Sequence, residues 1–193
     1  MYVGAELTRD RRNDMRFDGD PPGPLQRAGD KDAAPEDSYW LDPADLVELV
    51  RLGPLVSIDL VVRDGEGRIL VGLRNNEPAK DAWFVPGGRV GKGESLDKAF
   101  RRIVKQELGI VLRREESRFL GVFEHFYETN FLQHPDLGTH YVVLAHLVEV
   151  VDAAALKMDD QHRQVRWLTP KELTADPHVH RNTKVYGPLS ATE

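Results

Sequence analysis

Cysteine is absent from the 193-residue sequence. This absence excludes disulfide bonds, thiolate nucleophiles and cysteine-ligated zinc. Long apolar runs are absent as well: none approaches the roughly 18 residues that a membrane-spanning helix needs, and residues 1–20 lack the apolar core of a signal peptide. From these absences we expect a cytoplasmic protein that is not held in a membrane.

Concentrated positive charge is the third missing feature. The formal net charge is −6, and the 26 Lys and Arg residues form no basic block. This argues against a nucleic-acid surface. It does not argue against a phosphate-bearing small molecule, which needs only a few well-placed cations. With 40% hydrophobic and 30% charged residues, the composition is that of a soluble globular protein.

The first 39 residues differ in composition from the rest of the chain. They are rich in charge, glycine and proline and hold almost nothing to bury, so they cannot offset the entropy of ordering. We expect a flexible extension over residues 1–39, a folded domain over 40–187 and a short C-terminal tail over 188–193.

The pattern of apolar and turn residues predicts strands and helices in mixed order along the folded region. A short helix follows Asp42-Pro43, and a turn at residues 64–67 joins two β-branched strands into a hairpin. The other predicted elements are a short strand at 83–88, a helix at 95–108, strands at 118–128, 139–150 and 165–168, and a last helix opened by Thr169-Pro170. This order predicts an α/β (α+β) fold with a mixed β-sheet sandwiched between α-helices.

Glu107 falls on the face of the 95–108 helix that should be buried. At about 100° per residue it shares a stripe with Leu96, Phe100 and Ile103. A buried carboxylate is costly unless it is paired or binds a metal, and the negative end of the helix dipole adds a second penalty. The position therefore indicates a bound cation, unless the helix end frays and Glu107 points to solvent.

A glycine-rich segment, residues 87–94, precedes this helix. Glycine lets the backbone approach a ligand closely, and the planar guanidinium of Arg89 suits a phosphate. A tight turn without any ligand is the alternative interpretation of the same glycines.

The glycine segment and the helix together match a known motif. Nudix hydrolases carry G, five residues, E, seven residues, then R-E-U-x-E-E-x-G-U, where U is bulky and apolar. The residues at the required spacings are Gly88, Glu94, Arg102, Val104, Glu107, Gly109 and Ile110. The chain therefore resembles the Nudix superfamily, which implies the Nudix fold. Two motif glutamates are missing, since Ile103 and Gln106 stand in their places.

These two departures are typical of one branch, the GDP-mannose mannosyl hydrolases. The chain resembles this branch from about Pro54 to Tyr186. The matching stretches are PLVSIDL, WFVPGGRV, GVFEHFY, THYVVL and DDQHRQVRWLTPKEL. The resemblance implies magnesium-dependent hydrolysis of GDP-mannose, or of GDP-glucose, to GDP and free sugar. Water would attack the anomeric carbon with inversion, and the protein would be a homodimer.

The resemblance also assigns the metal site and the catalytic base. It places Glu107 and the Gly87 carbonyl on Mg²⁺, with Mn²⁺ as an alternative ion. Glu94 and Gln161 are further candidates near the metal. It makes His162, expected in the loop before the 165–168 strand, the general base, a task that suits a pKa near neutral.

The motif arginine has two open interpretations. Arg102 pairs with Glu94 and holds the loop against the helix, or it helps to neutralise the diphosphate. Under the first interpretation, loss of the Glu94 carboxylate weakens activity less than loss of Glu107.

The remaining candidates concern the substrate. We expect Arg74 and Arg89 to contact the diphosphate. Tyr141 is either a hydroxyl donor beside them or a core residue of its strand, and the resemblance makes His125 a sugar-facing residue. Asp59 is an unusual strand aspartate, which either hydrogen-bonds sugar hydroxyls or forms a structural ion pair. No residue is assigned to guanine.

Histidines and tryptophans outside these positions are expected to be structural. We expect His134, His178 and His180 to be exposed in polar loops, and Trp83 and Trp167 to pack in the core.

Two other functions remain open. A Nudix pyrophosphatase would cleave a nucleotide sugar or nucleoside triphosphate at phosphorus, which the retained Glu94, Arg102 and Glu107 favour and the loss of the other two glutamates disfavours. A non-catalytic sensor would bind a nucleotide sugar without turnover.

Overall fold

The computed structural model describes residues 41–151, 153, 156 and 162–191, without the side chains of residues 162 and 163. The predicted N-terminal extension and Gln161 lie outside these residues. The helices are α1 (Pro43–Leu52), α2 (Leu96–Leu108), α3 (Pro170–Ala175), α4 (Arg181–Lys184) and α5 (Tyr186–Ser190). The strands are β1 (Leu55–Arg63), β2 (Ile69–Arg74), β3 (Trp83–Phe84), β4 (Gly87–Arg89), β5 (Arg118–Tyr127), β6 (Thr139–Glu149) and β7 (His162–Leu168).

All seven strands join one mixed sheet. Its main order is β3-β2-β1-β6-β5, with β4 paired to β1 and β7 paired to β2. β1 and β6 run parallel, and the other pairs are antiparallel. The predicted hairpin between β1 and β2 is confirmed, with Arg63 opposite Ile69.

Two apolar layers cover the two faces of this sheet. On one face, β1 residues such as Ile58 and Leu60 pack against Phe100 and Val104 of α2. On the other face, Val61 and Val71 belong to a cluster with Leu173 of α3 and Tyr186 of α5. The predicted sheet sandwiched between helices is therefore confirmed.

Local sequence signals set the helix ends. The carboxylate of Asp42 accepts from the amides of Ala44 and Asp45 and caps α1. Ser95 caps α2, which ends at Gly109 with a φ of 70°, a left-handed conformation that favours glycine. α3 starts with a reciprocal capping box between Thr169 and Glu172.

The structure corrects three local predictions. Leu96 is 38% exposed, because this first residue of α2 is not part of the apolar cluster that the helix forms with the sheet. The single strand predicted at 83–88 is two strands, β3 and β4, because the chain leaves β2 at Phe84 and pairs with β1 from Gly87 onward. His162 is the first residue of β7 and not a loop residue, because β2 supplies Arg74 as its pairing partner.

The C-terminal region holds three short helices where the sequence predicted one. α5 runs past residue 187, the predicted end of the domain, to Ser190, which is buried. Gly187 allows α5 to approach α3: a Cβ built on it would lie 2.6 Å from Oγ1 of Thr174 and 2.9 Å from the carbonyl oxygen of Pro170.

This close approach makes Gly187→Ala destabilising. We expect the substitution to lower the free energy of unfolding by about 1–3 kcal/mol, because the added methyl group has no room. Chemical denaturation measures the effect. Gly53→Ala is the matched control: nothing lies within 4 Å of its Cβ position, so the change should stay within about 0.5 kcal/mol. Equal stability of the two variants would contradict the packing described here.

Candidate active site

A cavity of about 300 Å³ opens where β1, β4 and α2 meet the end of β2 and the neighbouring strands β5 and β6. Among the predicted site residues whose side chains are described, all except Glu94 line this cavity. Residues that lie as far apart in sequence as Asp59 and Tyr141 are brought together here, because β1 and β6 are adjacent.

Glu94 and Arg102 form a buried ion pair that fixes the glycine segment to α2. The guanidinium Nε and Nη2 of Arg102 donate to the two carboxylate oxygens of Glu94, both at 2.8 Å. Nη2 also donates to the Arg89 carbonyl oxygen at 2.8 Å, and the Gly91 amide donates to Glu94 at 2.9 Å. Burial raises the pKa of Glu94, but the hydrogen bonds from Arg102 and the Gly91 amide, together with the charge of Arg102, hold it below its ordinary value.

This geometry bears on the two interpretations of Arg102. Its third nitrogen, Nη1, donates to Gln106 at 3.0 Å, so all three nitrogens have protein partners. The arrangement favours a holding role for Arg102. Glu94 itself is not among the residues that line the cavity.

The two motif positions that lack glutamate have structural contacts instead. Ile103 is 1% exposed and faces the glycine segment, where a Cβ built on Gly88 would lie only 3.0 Å from its Cγ1. Gln106 is the hydrogen-bond acceptor for Arg102. Ile103, Gln106 and Glu107 stand at the three positions on α2 where the resembled motif has glutamate, and of these only Glu107 carries a carboxylate.

Glu107 and Gly87 fit a divalent cation. Glu107 is only 4% exposed and lines the cavity, which confirms its predicted position on the buried face. Gly87 lies opposite Asp59 of β1. The carbonyl oxygen of the preceding residue, Pro86, points toward β1, where it accepts a hydrogen bond from the amide of Leu60. Because polar groups of an antiparallel strand alternate in direction, the Gly87 carbonyl points away from β1, as does the Arg89 carbonyl that Arg102 binds.

The donor set is sparse but suitable. The described part of the chain holds no cluster of three acidic, histidine or cysteine side chains that could bind a metal. One carboxylate and one backbone carbonyl are oxygen donors of the kind that Mg²⁺ prefers, and Mg²⁺ commonly keeps several water or phosphate ligands. The residues present therefore fit a metal that is shared with a phosphate-bearing substrate.

Two arginines supply positive charge at the cavity. The Nε atom of Arg74 and the Nη1 atom of Arg89 are buried and find no hydrogen-bond partner among the described residues. Burial lowers the pKa of Arg89, a shift that the nearby Tyr141 opposes. Buried donors without partners are costly, so both guanidinium groups are suited to an anionic ligand such as a diphosphate.

Asp59 is held by a residue that the sequence did not single out. The hydroxyl of Tyr186 donates to Oδ2 of Asp59 at 2.8 Å, and both residues are buried. Burial raises the pKa of Asp59 to about 7, although Tyr186 and Arg74 oppose the shift. The carboxyl lines the cavity, where it can bind hydroxyl groups.

His125 presents an uncharged imidazole to the cavity. It is 4% exposed, and burial lowers its pKa to about 4. Its Nε2 atom is buried and has no hydrogen-bond partner among the described residues. A neutral ring with one unused nitrogen can exchange a hydrogen bond with a sugar hydroxyl.

The prediction that His180 is exposed was wrong. Its ring is half-buried and packs 5.2 Å from Phe84 and 5.5 Å from Tyr127, between ring centroids. It caps α4, where it accepts from the amide of Asn182. Its position as the cap of α4 is the one sequence feature that could have indicated a structural role for His180.

The other structural predictions for histidine and tryptophan agree with the structure. His134 and His178 are exposed. Trp83 is 7% exposed and belongs to the core, and Trp167 is partly buried against the second cluster.

Comparison with known proteins identifies the family. The model of the NUDIX domain matches residues 53–187. The chain is 44% identical over 128 residues to the low-salt glycan biosynthesis protein Agl8 of Haloferax volcanii, covering 66% of this chain and 79% of the relative. It is 33% identical over 72 residues to an ADP-ribose pyrophosphatase of Methanocaldococcus jannaschii, covering 37% of this chain and 41% of the relative.

A solved structure agrees with this family. The MutT Nudix hydrolase from Burkholderia pseudomallei matches with a TM-score of 0.58 and 25% identity, covering 72% of this chain and 99% of that chain. The chain therefore belongs to the Nudix family. This membership supports hydrolysis of a nucleotide derivative with a divalent metal. No helix in the described residues has the length and apolarity to cross a membrane.

The roles of the two motif glutamates can be separated by substitution. We expect Glu107→Gln to abolish metal-dependent hydrolysis, because it removes the buried carboxylate that is the candidate cation ligand. Glu94→Gln should instead lower the free energy of unfolding by roughly 3 kcal/mol, because Arg102 loses its charged partner, and should keep more activity than Glu107→Gln. Denaturation and magnesium titration of hydrolysis measure both. Equal, complete loss of activity in two stably folded variants would contradict this division.

Proposed function

We propose that the protein hydrolyses GDP-mannose, or GDP-glucose, to GDP and free sugar by attack of water at the anomeric carbon with inversion. The observation that carries the proposal is the reduced acidic set on α2. Ile103 and Gln106 are committed to packing and to Arg102, which leaves few ligands for the several metal ions that pyrophosphate cleavage commonly uses in this family.

The cavity residues suit cleavage of the bond between the sugar and the diphosphate. Glycoside hydrolysis usually requires a carboxylic acid to protonate the leaving group. GDP is already a stable anion when it leaves, so neutralising its diphosphate replaces that acid. The unpaired donors of Arg74 and Arg89 suit the diphosphate, and a metal held by Glu107 and Gly87 would supply further positive charge when bound.

The sugar would lie against the hydrogen-bonding groups of the cavity. Asp59 and His125 are buried there and carry oxygen and nitrogen atoms for hydroxyl groups. Tyr141 lines the same cavity, and burial raises the pKa of its hydroxyl, which stays protonated and able to donate.

His162 is proposed as the general base. Water loses its proton to the imidazole while its oxygen bonds to the anomeric carbon. The bond from that carbon to the β-phosphate oxygen breaks, and its electron pair leaves with GDP. The support from the fold is positional: the Cα of His162 pairs with the Cα of Arg74, whose side chain lines the cavity. Gln161, next to the base, is proposed as a contact to the water or metal.

We also propose a biological setting for this reaction. The relative from Haloferax volcanii is named for glycan biosynthesis, which is compatible with a sugar-nucleotide substrate for this chain. We propose a cytoplasmic homodimer that uses Mg²⁺, with Mn²⁺ as an alternative.

The position of the label from oxygen-18 water distinguishes the possible reactions. Purified protein, GDP-mannose and Mg²⁺ are incubated in labelled water, and the products are analysed by mass spectrometry. We expect label in free mannose and none in GDP, because the carbon–oxygen bond breaks. Label in GMP or mannose 1-phosphate would mean attack at phosphorus and would make the protein a pyrophosphatase. Binding without any product from GDP-mannose or GDP-glucose would favour a sensor.

Substitution of the base tests its role separately. His162→Ala should lower kcat by a factor of about 10²–10⁴, the usual contribution of a general base, while magnesium binding survives. His178→Ala, at an exposed histidine, is the control and should keep full turnover. Near-normal turnover of His162→Ala would remove this residue from the mechanism.

A further inference from the structure

One part of the cavity is not used by the proposed chemistry. The loop after β2 contributes Asn76, Glu77 and Pro78 to its lining, and the loop between β5 and β6 contributes Phe131. Asn76 is exposed, and Glu77 and Phe131 are half-buried, whereas Pro78, Asp59 and His125 are buried. Asn76, Glu77 and Phe131 therefore form the outer part of the cavity, next to the buried Pro78.

The second loop is rigidly organised around one buried amide. Asn130 is 1% exposed. Its Nδ2 donates to the carbonyl oxygens of His134 and Leu137, and its Oδ1 accepts from the amides of Leu132 and His134. Four hydrogen bonds from one side chain fix the backbone beside Phe131, so this ring is presented to the cavity by an ordered loop.

A side-chain hydrogen bond joins the two loops. The hydroxyl of Thr129 donates to Oε2 of Glu77 at 2.9 Å. This bond orients the carboxylate, and its other oxygen and remaining lone pairs stay available as acceptors. The outer part of the cavity thus combines an oriented acceptor group with the apolar surfaces of Phe131 and Pro78.

This combination fits a purine base, and guanine in particular. A purine has flat apolar faces that pack on an aromatic ring. The Watson–Crick edge of guanine presents two adjacent donors, N1–H and the 2-amino group, which a carboxylate accepts together. Adenine presents a ring-nitrogen acceptor at N1, which the carboxylate repels. Glu77 follows Arg74 by three residues, so a diphosphate at Arg74 and a base at Glu77 are compatible with one bound nucleotide.

We propose that Glu77, oriented by Thr129, and Phe131 form a base subsite that selects guanine over adenine. This inference rests on the proposed function, because it assumes that the diphosphate occupies Arg74 and Arg89. Glu77 would supply the selectivity, and Phe131 would supply affinity that is shared by both purines.

Binding of GDP and ADP to the full chain in the presence of Mg²⁺, measured by titration calorimetry, tests the subsite. Wild-type protein should prefer GDP. Glu77→Gln should lower that preference at least tenfold, because the amide brings a donor to the donor edge of guanine. Thr129→Val should lower it less. Phe131→Leu should weaken GDP and ADP by a similar factor and keep the preference.

Glu124→Gln is the matched control, because Glu124 is an exposed carboxylate on β5 that does not line the cavity. It should bind like wild type. Circular dichroism confirms that each variant is folded, and Thr129→Ser, which keeps the hydroxyl that orients Glu77, should retain the wild-type preference.

The outcomes separate this inference from the proposed function. If wild type binds ADP as well as GDP, or if folded Glu77→Gln keeps the full preference, the subsite assignment is wrong. The proposed function would then still stand, provided that GDP-mannose is hydrolysed at carbon. If wild type binds neither diphosphate and hydrolyses no GDP-sugar, both are wrong.

Discussion

The buried ion pair between Glu94 and Arg102 is the interaction on which the site depends. It ties the glycine segment to α2 at both oxygens of the carboxylate and reaches the Arg89 carbonyl as well. Gly87 precedes this anchored point on β4, and Glu107 follows it on α2. A buried pair of this kind stabilises a specific geometry more reliably than it adds net stability, because desolvation offsets much of the attraction. Its contribution here is to set the distance between the two candidate metal ligands.

The cavity brings charged side chains together with buried ones. Arg74 and Arg89 bring positive charge, Asp59 and Glu107 bring carboxyl groups, and His125 stays neutral because burial lowers its pKa. Electrostatic interactions are stronger in such surroundings than in water. The same surroundings leave guanidinium nitrogens without partners in the described residues. A ligand with a diphosphate would satisfy these donors, so the binding of substrate would relieve a cost that folding has imposed.

Much of the fold and part of the site could be predicted from the sequence. Helix caps such as Asp42 and Thr169 act locally, and the position of Glu107 follows from helical periodicity. The partnership of Tyr186 with Asp59 could not be predicted, because the two residues lie 127 positions apart and no local pattern links them. The burial of His180 was missed for a similar reason. It depends on Phe84 and Tyr127, which lie on other strands.

The parallel pairing of β1 with β6 has a consequence for the order of folding. The paired residues of these strands lie 86 positions apart, so this ladder cannot form until most of the chain is available. Contacts between residues so far apart in sequence slow folding, because a large loop must close before these contacts can contribute stability. The hydrogen bond from α5 to β1 is longer in range still. On a ribosome, the helix that carries Glu107 can form early, but the hydrogen bond that holds Asp59 in the cavity can form only after Tyr186 of α5 has emerged. The orientation of Asp59 is thus fixed later in synthesis than the rest of the cavity lining.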